Sequence, residues 1–413
     1  MPAKLIINIQ QLVNTRTENK LLRGKELADL PVIENAYLLI EDDQITEFGE
    51  MHALGGKIKP ENIIDAAGRI VLPAWCDSHT HIVFAGSREN EFIDKIKGLS
   101  YAEIAAKGGG ILNSAAKLAQ TSEDELFNQA WKRLEDVSKL GTGAIEIKSG
   151  YGLTVESEIK MLRVIKRLQQ KSNLSIKSTF LGAHSYPQLY KENHEGYIRL
   201  IIDEMLPAIA NEKLADYIDV FCETGFFSAE ETEIICRAGM AYGLKPKIHA
   251  NQLGLSGGTQ VGVKLGAISV DHLEVMDSAA INSLKNSNTI GTLLPGAAFF
   301  LRMLFQPARE IIDAGCAVAL ASDYNPGSSP SGNMNLVVAM SCIQMKMLPG
   351  EAIQAATLQG AYAMELENEV GSITLGKYAN IILTKPVPSL AYLPYSFGSN
   401  LIEKVMIRGE WIF

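Results

Sequence analysis

The chain is poor in cysteine, and what it has is scattered. Cys76, Cys222, Cys236, Cys316 and Cys342 are the five in 413 residues, and no two are spaced CxxC. That excludes a disulfide framework or a zinc ribbon and leaves the reduced thiols of a cytoplasmic protein. Surplus positive charge is also missing, since 38 Lys+Arg against 47 Asp+Glu give a net charge of −9. A chain of that sign repels phosphate backbones and anionic bilayers, so no nucleic acid and no membrane is expected as a partner. No run approaches the ~20 apolar residues of a membrane span. The opening residues Met1 to Asn8 lack the charged and long apolar regions of a signal peptide. With 47% apolar and 21% charged residues the composition is that of a globular protein, which removes disorder, collagen and coiled coil.

A length of 413 residues suggests two to three structural units. The first 70 residues carry short β-rich runs, Leu5 to Ile9, Ala36 to Glu41 and Ile45 to Phe48, punctuated by charge and glycine. The last 40 are similar, with Ala379 to Leu383, Val405 to Ile407 and Trp411 to Phe413. Between them, eight apolar strand-like runs alternate with amphipathic helical segments: Val71–Val83, Gly143–Lys148, Ile176–His184, Tyr217–Cys222, Pro246–Ala250, Ala267–Leu273, Thr289–Leu294 and Ala317–Ser322. Ser122 with Glu125, and Ser228 with Glu231, fit capping boxes, and Gly141 and Gly243 supply the stops. Eight strands with intervening helices predict an α/β fold, a (β/α)8 TIM-like barrel over residues 71–370.

In such a barrel, catalytic groups sit at or just past the C-terminal strand ends. There the runs carry His79 and His81, Lys148, His184, Glu223, His249, His272 and Asp323, so five of the seven histidines fall at strand ends. On a strand, residues two apart share a face, so His79 and His81 both point into the barrel mouth. His249 offers a third nitrogen and Asp323 an oxygen. That set suits a divalent ion such as zinc or iron and leaves a position open for water. The bland alternatives are imidazoles satisfied by neighbours and, for Asp323, a turn aspartate in Asp-Tyr-Asn-Pro-Gly. His272 reads either as a core histidine bonded to Asp271 or as a donor to a carbonyl oxygen. Gly108-Gly-Gly110 is not followed by Gly-Lys-Ser/Thr, so it is not a P-loop, and reads as a mobile loop beside the mouth. Lys160, Arg163, Lys166, Arg167 and Lys171, on a helix with Glu156 and Glu158, read as a solvated outer face.

His79-Thr-His81, His249-Ala-Asn-Gln252, Asp271-His272 and Ser322-Asp323 resemble the amidohydrolase superfamily. The longer blocks, Phe84-Ala-Gly-Ser-Arg-Glu89, Glu146-Ile-Lys-Ser-Gly-Tyr-Gly152, Phe180-Leu-Gly-Ala-His184 and Ser322-Asp-Tyr-Asn-Pro-Gly327, resemble the imidazolonepropionase family within it. The resemblance covers essentially the whole chain. It implies a small composite β domain built from both termini, residues 1–70 and 371–413, and one zinc or iron ion per subunit of a homodimer. The implied reaction is hydrolysis of 4-imidazolone-5-propanoate to N-formimidoyl-L-glutamate. His79, His81, His249 and Asp323 hold the ion, a hydroxide on it attacks the ring carbonyl, Asp323 shuttles the proton and His272 steadies the oxyanion. Arg88 matches a carboxylate-binding position, where a salt bridge to Glu89 or Glu91 is the competing reading. Tyr151, His184, Gln252, Asn325, Gly327 and Ser328 match substrate contacts, and Tyr101 is a weaker one. Gln252 stands where several deaminases of the superfamily carry a proton-shuttling Glu, and it cannot ionise. Strand four ends Phe221-Cys-Glu223 without the lysine that bridges two metals in related enzymes, which implies a single ion, and Lys148 is expected to pair with a carboxylate. The rival readings are a deaminase of a nitrogen heterocycle, which releases ammonia, and a non-catalytic scaffold.

Overall fold

The computed structural model describes residues 3–55, 62–99, 103 and 109–412. Five strands come first, β1 (Lys4–Val13), β2 (Val32–Glu41), β3 (Gln44–Glu50), β4 (Asn62–Asp65) and β5 (Ile70–Pro73). Eight follow, β6 (Trp75–Thr80), β7 (Thr142–Lys148), β8 (Ser175–Ala183), β9 (Tyr217–Cys222), β10 (Lys245–Ala250), β11 (Ser269–His272), β12 (Ile290–Leu293) and β13 (Val318–Leu320). The last three are β14 (Ile381–Thr384), β15 (Ile402–Ile407) and β16 (Glu410–Trp411).

Strands β6 to β13 pair in sequence order, each parallel to the next. Thr80 bridges Tyr324 just past β13, so the sheet meets itself. The expected barrel is present, with helices on its outside. Helix Glu123–Lys139 buries Leu126, Phe127, Ala130, Leu134 and Val137, the face its periodicity marks. Ser228 and Glu231 form the full capping box, whereas Ser122 accepts from the Glu125 N–H without the reciprocal bond. Glu125 instead accepts from Gln129 one turn on.

The run Val71–Val83 is two strands rather than one. Ala74 separates β5, which joins the terminal sheet, from β6, which opens the barrel. The terminal sheet runs β16-β15-β14-β5-β1-β2-β3, with β4, a strand without a sequence signal above, paired to β1. β5 lies between β1, parallel, and β14, antiparallel, so the two ends of the chain share one sheet. Its apolar face gathers Ile6, Ile9 and Leu38 with Ile381 and Met406. Helix Leu358–Tyr362 lies under the N-terminal strand ends, where a β-carbon on Gly360 would meet the Cys76 carbonyl oxygen at 2.2 Å. Among the described residues no helix is long and apolar enough to cross a membrane.

Lys377 ties the two ends together. Its buried ammonium donates to Val370 O (2.9 Å), Ser372 Oγ (2.7 Å) and Asn19 Oδ1 (3.1 Å). Burial pushes its pKa down to about 8, while an unfolded lysine titrates near ~10.4. Between those values the unfolded chain binds more protons, so stability rises with pH. The urea midpoint of the wild type is expected to gain on that of Lys377→Met from about pH 8 to pH 10. A constant difference would give Lys377 an ordinary pKa.

Candidate active site

The strand-end histidines converge. The His79 and His81 Nε2 atoms lie 3.3 Å apart, and Asp323 Oδ1 stands 3.5 Å from the first and 3.6 Å from the second. His79, His81 and His249 offer ligand atoms within 4.8 Å of one another, and so do His79, His272 and Asp323. His79 Nδ1 meets Asp271 Oδ2 at 2.7 Å, and His249 Nδ1 meets Asp219 Oδ2 at 2.9 Å. A carboxylate only accepts, so each Nδ1 carries the proton and each Nε2 presents a lone pair. Burial drives the pKa of His79 and of His81 well below the ordinary value, which keeps both rings neutral. His79 Nε2 thus offers a lone pair 3.3 Å from the ring nitrogen of His81, whose Nδ1 has no hydrogen-bond partner among the described residues. Four-coordinate ligands at ~2.05 Å are separated by about 3.3 Å, so the donor set fits one ion.

The backbone brings these groups together. The Asp323 N–H donates to His79 O (3.0 Å) and the His81 N–H to Tyr324 O (2.9 Å), so His79, His81 and Asp323 line the closure seam of the barrel. Ser322 reinforces it by donating from its N–H and hydroxyl to Asp77 at 2.9 and 2.6 Å. Asn251, His272, Leu273 and Asp323 have φ of +55°, +89°, +64° and +54°. Left-handed backbone is costly away from glycine, and here it clusters at the strand ends.

Asp271 holds His79 and not the neighbouring His272. The His272 Nδ1 faces Glu274 Oε1 at 3.3 Å. Burial opposes charge on that ring, but Glu274, Asp323 and Asp271 outweigh it and raise its pKa. A cavity of about 830 Å³ opens at the imidazoles, with His81, His184, His272, Asp323, Arg88 and Phe300 in its lining. Tyr151, Gln252, Asn325, Gly327 and Ser328 complete the expected set on its walls. Tyr101 and Gly108 lie outside the described residues. The Gly110 N–H donates to Glu91 at 3.0 Å.

Each wall residue has its own restraint. Arg88 pairs with Glu91 through Nε at 2.9 Å, so the competing salt bridge exists, yet it lies in the cavity wall. A β-carbon on Gly327 would stand 2.3 Å from Arg88 Nη1, so a larger residue there would displace the guanidinium from this position. His184 donates from Nδ1 to Gly150 O (2.9 Å), and burial takes its pKa down to about 3. The Asn325 amide is spent on its own loop. Nδ2 donates to Asp323 O (2.7 Å) and Ser328 Oγ (2.8 Å), and Oδ1 accepts from the N–H groups of Gly327 and Ser328, both at 2.8 Å. Ser328 Oγ in turn donates to Asp323 Oδ2 at 3.2 Å. Asn325 therefore orders the loop beneath the cavity, a job its motif does not reveal. Glu223 Oε2 accepts from the Leu253 N–H at 2.8 Å and steadies the segment after β10.

Glu158 corrects the reading of its helix. Arg163 and Arg167 do occupy an outer face, paired with Glu212, Glu123 and Asp124. Glu158 points inward instead, fully buried, and accepts from the N–H groups of Gly150 (3.1 Å), Gly152 (2.7 Å) and Leu153 (2.9 Å). It thus shapes the loop that carries Tyr151.

A sequence profile described as the amidohydrolase family matches residues 70–412. Over 409 residues the chain is 60% identical to the imidazolonepropionase of Flavobacterium johnsoniae and 55% identical to that of Christiangramia forsetii, with 99% of each chain covered in both cases. The crystal structure of an adenosine deaminase from Xanthomonas campestris with bound zinc matches with a TM-score of 0.70 at 14% identity, covering 98% of this chain and 92% of that one. At that identity the likeness speaks for the fold alone.

Removing the Glu158 carboxylate leaves three buried donors without an acceptor. Glu158→Ala is expected to cost on the order of 2–4 kcal/mol in denaturant unfolding. Amide exchange should speed up at Gly150, Gly152 and Leu153 before it does elsewhere.

Proposed function

The chain belongs to the imidazolonepropionases of the amidohydrolase family, and we infer from its geometry how its residues open the ring. The enzyme is a hydrolase acting on the C–N bond of a cyclic amide, 4-imidazolone-5-propanoate, in histidine degradation, and the product is N-formimidoyl-L-glutamate. The carrying observation is the meeting of three imidazoles and the Asp323 carboxylate at the floor of a cavity whose wall holds Arg88.

His79, His81, His249 and Asp323 would hold one ion. The donor set suits zinc or iron(II), and zinc is the metal in the Xanthomonas structure. Such an ion supplies Lewis acidity that makes water nucleophilic near neutral pH and polarises the amide carbonyl. Asp323 Oδ2, on which Ser328 Oγ rests, takes the proton of the attacking water and returns it to the departing ring nitrogen. His272, its Nδ1 held by Glu274, turns Nε2 toward the oxygen that gains charge. Gln252 cannot ionise and contributes hydrogen bonds alone. Arg88 takes the propanoate carboxylate in its fork, and Tyr151 and His184 bracket the ring. Five unpaired cysteines support a cytoplasmic setting, and the family resemblance supports a homodimer.

Purified enzyme is expected to abolish the ultraviolet absorbance of 4-imidazolone-5-propanoate without releasing ammonia. Ammonia release would point to a deaminase. Arg88→Ala should raise KM by roughly tenfold or more with kcat little changed, and unchanged kinetics would remove Arg88 from carboxylate binding. Asp323→Asn should lower kcat by about 10³-fold while substrate still binds. A kcat near that of the wild type would free Asp323 of the proton shuttle.

A further inference from the structure

Beneath the imidazoles the barrel interior is charged. Glu146, Lys148, Asp219, Lys247 and Asp271 are all enclosed, none more than 1% exposed. Lys148 on β7 reaches across to two other strands. Its Nζ lies 2.6 Å from Glu146 Oε1, 2.8 Å from Asp219 Oδ2 on β9 and 3.5 Å from Asp271 Oδ2 on β11. The last two oxygens are the ones that receive the His249 and His79 N–H groups. One ammonium therefore sits on both carboxylates that orient two of the three imidazoles.

We propose that Lys148 is a positioning residue of the metal site, fixing Asp219 and Asp271 and through them the rings of His249 and His79. The proposal rests on reading the three imidazoles as ligands of an ion. An ammonium has three N–H bonds in tetrahedral array, and three carboxylates meet it here. The same three carboxylates outweigh burial and hold Lys148 in its charged form. Asp219 has no slack, because its Oδ1 also accepts the His249 backbone N–H at 3.0 Å. Asp271 is braced in the same way, with Oδ1 accepting from Ser269 Oγ at 2.5 Å. Glu146 holds the lysine from the other side and also binds Lys247 and Thr179 Oγ1. Without Lys148 the two enclosed carboxylates would lose the cation they share. They would separate or turn, and the imidazoles would turn with them. Lys148 does not line the cavity, so its effect passes through Asp219 and Asp271.

The test compares the wild type, Lys148→Met, and the double variant Glu146→Gln/Lys148→Met. The double variant keeps the buried charge in balance should the single variant fail to fold. Each protein is stripped of metal, its fold is checked by circular dichroism, and Zn(II) affinity is measured by competition with a chromophoric chelator. The variants are expected to bind Zn(II) about 10–100-fold more weakly, with KM for substrate close to that of the wild type once zinc is saturating. Adding Asp271→Asn to Lys148→Met should cost less than the sum of the two separate losses. A folded double variant with wild-type Zn(II) affinity would reduce Lys148 to a core ion pair and overturn the proposal. A wild type that binds neither zinc nor iron would overturn the metal reading itself, and the proposal with it.

Discussion

Everything at this site depends on carboxylates that hold imidazole rings still inside a sealed barrel. An imidazole on a strand end swings about two bonds, and only a fixed partner on Nδ1 decides where Nε2 points. Asp271 and Asp219 provide that partner for His79 and His249. Enclosed carboxylates are tolerated only with their own counter-charges, so Lys148 follows from them, and it is joined through Glu146 to Lys247. Most barrels of this type fill their interior with branched aliphatic layers. Here a layer of salt bridges lies directly under the reactive groups, and the apolar core is displaced outward to the helix–strand interface.

The closure of the barrel and the building of the site are one event. The hydrogen bonds that join the end of β13 to β6 involve the backbones of His79, His81 and Asp323. A barrel that closed out of register would lose the meeting of His79, His81 and Asp323 with the seam. The left-handed backbone at Asp323 and His272 belongs to the same economy of position, since it turns each side chain back over the barrel axis at some conformational cost.

Much of this was legible in the residues, and the reasons for the rest are physical. A histidine or aspartate that closes an apolar run is a local signal, so the barrel, its strand ends and the side chains that converge at its mouth could all be read in advance. Partnership across strands is not local. Asp271 adjoins His272 in the chain but bonds to His79 on another strand, and His272, whose backbone is left-handed and breaks the alternation of the strand, lines the same cavity. Glu158 sits among basic helix residues and still faces inward, since a helical position one turn away can share sequence context and not environment. The signal that was available and passed over is the period of two on the charged strands. Glu146 and Lys148, Lys247 and His249, and Ser269 and Asp271 each alternate with aliphatic residues, which marks a polar layer extending below the histidines.

The terminal sheet carries a consequence for synthesis. β5 ends at Pro73 and its register partner in β14 is Ile381, so one hydrogen-bonded pair joins positions 308 apart in the chain. At about 5–20 residues per second a ribosome needs roughly 15–60 s to bridge that gap. For that interval the nascent β5 edge has no β14 to pair with, and an unpaired strand edge is a template for association with other chains.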